Sequence, residues 1–153
     1  MNARTLSLVF CKATLARPHL WALSRVVGNP IHIDIGIGGV AFAVSPKKCF
    51  QWDLTEWIEA RRASGTLHSV VTVPITDGDK ATTAALNFAV GPMTYRGTVA
   101  RVLGRPSMLD VDCVAAAMIV LKAGGVDPPQ IFVTARSLYR WISSKHPPQT
   151  SPP

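Results

Sequence analysis

The nucleophiles and bases available to this chain are few: three cysteines, Cys11, Cys49 and Cys113, and four histidines, His19, His32, His68 and His146. An odd number of cysteines leaves at least one thiol free. No Cys-x-x-Cys pair occurs, and the cysteine spacings match neither a zinc site nor a disulfide framework. A free thiol suits a reducing compartment or a working nucleophile. No two histidines stand at metal-ligand spacing, so neither a metal nor another cofactor is expected.

Cys113 opens an Ala/Val-rich segment directly behind Asp110 and Asp112. Taken alone, a cysteine in such a helix is a small hydrophobe in a core. Its position supports a second reading, because a thiol in the first turn of a helix faces the positive end of the macrodipole, where an anion is favoured. A nucleophilic thiol also needs a base. His32 lies in Ile31 to Ile37, I-H-I-D-I-G-I, the cleanest alternation in the sequence. Its isoleucines take one strand face while His32, Asp34 and Gly36 take the other. His32 is then either an exposed strand histidine or the partner of the thiol across the fold. Asp34, one pleat further on the same face, reads as a solvated strand residue and, secondarily, as a group that could fix the imidazole.

The elements that must position these residues follow from pattern and punctuation. Strands are expected at Thr5 to Lys12, Ile31 to Ile37, Val40 to Ser45 and Leu67 to Pro74. Gly38-Gly39 turns the second of these into the third as a hairpin. Pro46 to Gln51 reads as a basic turn or short strand. Helices are expected at His19 to Val27, at Thr55 to Ala63 with Thr55 as N-cap, and at Lys80 to Val90. Further helices follow at Asp110 to Ala123, ended by Gly124-Gly125, and at Thr134 to Ser143. Gly91 to Pro106 is a connection with a helical turn at Thr98 to Leu103. This is an α+β arrangement with an antiparallel sheet packed against a buried helix. Residues 1–145 form one domain, and 146–153 a Pro-rich flexible tail.

Composition bounds the function. A chain of 153 residues, 48% apolar and 16% charged, encloses one sizeable core and is not disordered overall. The longest apolar stretch, Val111 to Leu121, is too short to span a bilayer and contains Asp112. Leu6 to Cys11, interrupted by Lys12, is a poor secretory signal. The net charge of +7 leans towards polyanions, but the basic residues are scattered. Without a basic stripe interleaved with aromatics, no specific nucleic-acid partner is expected. Trp52 and Trp57 read as packing aromatics, Cys11 and Cys49 as half-buried inert thiols, and Asp77-Gly78-Asp79 as a turn and helix start.

Gly91-Pro92-Met93-Thr94-Tyr95-Arg96-Gly97, followed by Leu109 to Ala117 (LDVDCVAAA), resembles the segment around the nucleophile of NlpC/P60 cysteine peptidases. In the ordinary family the histidine follows the cysteine, whereas here the histidine strand IHIDIGI precedes it. That order resembles the circularly permuted, papain-like branch of the fold. The opening strand and helix, the AFAVSP strand and the TARSLYRWI helix are similar to small permuted proteins of phage genomes. The similarity covers roughly Leu6 to Trp141.

The resemblance implies Cys113 as nucleophile, His32 as base, and Ser45 as the residue that orients the imidazole, with Asp34 a further candidate for that task. Ala43, on the same strand face as Ser45, could not do it. The backbone N–H of Cys113, helped by the Tyr95 hydroxyl, would stabilise an oxyanion; otherwise Tyr95 is a packing aromatic. The implied activity is cleavage of the peptide stems of peptidoglycan by a thiol peptidase or amidase. It would be phage-encoded, carried in the tail or virion or held in the host cytoplasm before assembly, with other virion proteins as partners. Two alternatives stand beside it. Val114, where the family carries a small polar residue, and the unsettled third residue, which falls at Ala43 or Ser45, favour a non-catalytic virion or tail assembly protein that keeps the scaffold. Acyl or thioester transfer on the same fold is the other, and would need an apolar groove beside Cys113.

Overall fold

Stretches rich in β-branched and aromatic residues pair into one open antiparallel sheet in the computed structural model, which describes residues 5–44, 49–88, 112–129 and 134–149. The strands are β1 (Thr5–Cys11), β2 (His32–Ile37), β3 (Val40–Val44), β4 (Cys49–Asp53) and β5 (Leu67–Pro74), in spatial order β4-β3-β2-β1-β5. The β2–β3 hairpin closes over Gly38 and Gly39, both at positive φ (59° and 83°). Two successive left-handed residues make the tight turn whose twist matches the strands, and glycine adopts that backbone without a Cβ clash.

Five helices are present among the described residues: α1 (Pro18–Val27), α2 (Leu54–Ala63), α3 (Gly78–Phe88), α4 (Cys113–Ala123) and α5 (Ala135–Lys145). The mixed α+β class with an antiparallel sheet agrees with the sequence expectation. The N-cap of α2 is Asp53 rather than Thr55. Asp53 is extended, and its carboxylate accepts a hydrogen bond from Glu56 N at 3.0 Å, which starts the helix earlier than the pattern suggests. Helix α3 likewise begins at Gly78, ahead of Lys80, where Asp77 Oδ1 accepts from Lys80 N at 2.9 Å. Thr98 to Leu103 lies outside the described residues.

Alternation divides the sheet into two unlike faces. Leu6, Leu8 and Phe10 of β1 join Ile33, Ile35 and Ile37 of β2 and Val71 and Val73 of β5 in the main core, which α3, α4 and α5 complete. From α4 come Val114, Ala116, Ala117, Val120 and Leu121, all buried. The opposite face carries Val9, Cys11 and Val70 and is covered by Leu54 and Ile58 of α2. Gly36 of β2 lets α2 come close: a Cβ there would meet Leu54 Cδ1 at 2.6 Å. Gly36→Val is therefore expected to lift the first turn of α2 and to cost roughly 1–3 kcal/mol, read as a shift of the urea midpoint. An unchanged midpoint would mean that Leu54 swings aside without loss.

The described residues after α5, 146–149, reach back to the sheet. Gln149 N donates to Val70 O at 2.8 Å, forming an antiparallel bridge on the outer edge of β5. An otherwise open strand edge offers backbone partners, which is the physical reason residues 146–149 settle there.

Candidate functional site

The candidate site lies at the end of the sheet where β1 finishes and β2 begins. Cys11, the last residue of β1, pairs with His32, the first of β2. The N-terminus of α4 comes to the same end. There Asp112 adopts an extended backbone, and its buried carboxylate accepts from Val114 N at 3.1 Å and Ala115 N at 2.9 Å. Cys113 is the first helical residue, 6% exposed, and lies close enough to the His32 ring to favour its positive charge. The two residues singled out from the sequence, separated along the chain by most of the fold, are thus neighbours.

Asp34 corrects the sequence reading most sharply. Expected as a solvated strand residue, it is fully buried. Its Oδ1 accepts from His32 Nε2 at 2.8 Å. Its Oδ2 accepts from Trp57 Nε1 at 2.9 Å and from Arg61 Nη2 at 2.8 Å, while Cys11 Sγ lies 3.8 Å away. The Arg61 guanidinium stacks over the Trp57 ring, 4.6 Å from its centroid. The reason is tertiary: α2 lies over the polar face of β2 and seals it from solvent, and a carboxylate so buried is retained only when paired and hydrogen-bonded.

The electrostatics follow from that packing. Burial opposes ionisation of Asp34, yet His32, Arg61 and the Trp57 N–H outweigh it and hold the carboxyl well below the usual carboxylate range. Burial likewise opposes charge on His32, but the Asp34 carboxylate and then Cys113 prevail, and the imidazole is pushed up to about 10. For Cys11, burial first and the Asp34 charge second push the thiol far above its ordinary range, so it is a protonated, inert sulfur. Nε2 is the ring nitrogen engaged by Asp34, which leaves Nδ1 for a second partner.

Of the remaining sequence candidates, Ser45 and Tyr95 lie outside the described residues, as do the connection around Gly91 to Pro106 and the side chain of Cys49. Ala43 is buried, and His146 is the C-cap of α5, its N–H donating to Ile142 O at 2.9 Å. Trp57 and Arg61 were not foreseen. Their signal was present in the spacing Leu54, Trp57, Ile58, Arg61 (i, i+3, i+4, i+7), which puts all four on one helical face. An arginine on an otherwise apolar stripe points to a buried acid on the surface it covers. Compared with known protein families, with curated proteins and with solved structures, the chain finds no match.

Proposed function

We propose that Cys113, His32 and Asp34 form the nucleophilic centre of a cysteine amidohydrolase or peptidase, on a permuted papain-like scaffold of the NlpC/P60 type. One observation carries this reading: a fully buried Asp34 carboxylate holds His32 Nε2 at 2.8 Å, and Cys113, at the N-terminus of α4, is near enough to favour charge on that ring. Nucleophile, base and orienter in series are the arrangement that nucleophilic acyl transfer requires. Asp34 takes the orienting role that the sequence assigned first to Ser45. The order of histidine strand before cysteine helix supports the permuted scaffold.

In this mechanism the Cys113 sulfur attacks an amide carbonyl, and its proton resides on His32 Nδ1. The imidazolium is stabilised by Asp34, which also keeps the ring from turning. The tetrahedral intermediate collapses as His32 gives its proton to the departing amine, leaving a thioester on Cys113. Water, deprotonated by His32, then releases the acid and restores the thiol. Asp112 occupies the Val114 and Ala115 amides, so the N–H of Cys113 is the first-turn donor left to meet the oxyanion.

The resemblance to permuted phage proteins and the charge of +7 support the peptide stems of peptidoglycan, within an anionic wall, as the substrate and a virion or tail as the place of action. Incubation with purified peptidoglycan is expected to release free amines. Cys113→Ala should abolish the release while preserving the circular dichroism spectrum, because alanine suits a helix. Equal release by the wild type and Cys113→Ala would refute a thiol mechanism. No release by the wild type would favour the assembly-protein reading.

A further inference from the structure

A second site is built at the edge of the sheet from residues the thiol centre does not use. A cavity of about 780 Å³ opens between α2, the start of β5 and α5. Ile58, Leu67 and Tyr139 supply apolar and aromatic walls, Lys12 and Arg62 supply positive charge, and His68 supplies an imidazole. The strand itself presents His68. The β1–β5 register shifts at Phe10/Cys11, so that Phe10 faces Ser69 and Cys11 faces Leu67, with His68 the extra residue between them. A bulge of this kind re-aims a side chain at a sheet edge. The His68 ring meets the edge of Tyr139, with centroids 4.8 Å apart, and Nδ1 hydrogen-bonds Ser69 Oγ at 2.8 Å. Partial burial first and the nearby Lys12 second disfavour charge on His68 and hold it below the ordinary imidazole range. Glu59 pairs with Arg62 and offsets its charge, which leaves Lys12 as the excess positive charge of the wall.

We propose that this cavity binds a small organic anion, a carboxylate or phosphate ester carried on an aromatic or aliphatic body. The head would lie between Lys12 and the His68 ring, and the body against Tyr139, Ile58 and Leu67. The volume falls within the range of small-molecule sites, and the half-open cavity sets apolar walls beside polar groups that could hold a charged head. The anion is favoured because Lys12 brings a positive charge to the wall and the neutral His68 imidazole offers a hydrogen-bond donor beside it.

The probes are phenyl phosphate, phenylacetate, inorganic phosphate and the neutral benzyl alcohol, each titrated into the full chain while the amide and ring signals of His68 and Ser69 are followed by NMR. Saturable shifts are expected with phenyl phosphate, phenylacetate or both, with Kd below about 1 mM, and the phosphate and carboxylate arms show which head is preferred. Benzyl alcohol and inorganic phosphate should bind at least about tenfold more weakly, because each lacks half of the recognition. Lys12→Gln and His68→Gln should each weaken binding by about fivefold or more while leaving Cys113 alkylation unchanged, which separates this site from the thiol centre. Absence of saturable shifts with either aromatic anion, equal binding of benzyl alcohol, or full affinity in both variants would overturn the proposal.

Discussion

Asp34→Ala is expected to destabilise the fold by about 3–5 kcal/mol, the range for breaking a buried ion pair from one side. The carboxylate is the shared acceptor of His32, Trp57 and Arg61, so its removal takes the acceptor from the Trp57 N–H and the countercharge from His32 and Arg61 in a part-buried layer. Side-chain exposures of 16% for His32 and 23% for Arg61 leave little room for water to take its place. Asp34→Asn should cost less, because an amide oxygen still accepts from Trp57 or Arg61 while the charge is lost. Chemical denaturation of the three proteins at one pH measures both differences. A change below about 1 kcal/mol for Asp34→Ala would show that the cluster is open to solvent.

The same groups fix the pH dependence of stability. Asp34 is depressed below its ordinary 3.8, so its contribution is present above that value and lost as the pH falls further. His32 is raised from 6.5 to about 10, so its contribution is complete below 6.5 and declines as the pH rises towards 10. Stability should therefore be greatest between about 4 and 6.5 and fall steadily from 6.5 to 10.

His32 itself supplies the second large effect. Its ring proton signals should titrate far above neutrality, with a midpoint near 10 rather than 6.5. In Asp34→Asn the principal favourable charge is gone while burial remains, so the midpoint should drop by more than in any other single variant. Cys113→Ala removes the second favourable partner and should lower the midpoint by a smaller amount. A histidine that titrates near 6.5 in all three proteins would mean that strand proximity alone, without charge coupling, holds these residues together.

What the sequence reveals and conceals here has a physical pattern. The alternation of Ile33, Ile35 and Ile37 set the core face of β2, and Gly38-Gly39 marked the hairpin, because both are local properties of backbone and side chain. Helix position and element order were the signals that put Cys113 and His32 forward together. The fate of Asp34 was not, since nothing within I-H-I-D-I-G-I tells whether the polar face meets water or a helix. That depended on α2 folding back over β2, with Gly36 admitting Leu54 and Arg61 supplying the compensating charge. Asp53 in place of Thr55 as a cap, and the pairing of Gln149 with Val70, turned on single hydrogen bonds that residue patterns do not resolve.

The central claim is that Cys113 is a thiol poised by His32, and selective alkylation tests it most directly. A limiting dose of iodoacetamide near pH 6, followed by peptide mapping, should label Cys113 well ahead of Cys11, whose buried thiol stays protonated. His32→Ala should slow labelling of Cys113 by about tenfold or more, at the scale of losing a positioned base, while the rate at Cys11 stays the same. Equal labelling of Cys11 and Cys113 in the folded wild-type protein, with no change in His32→Ala, would contradict the account.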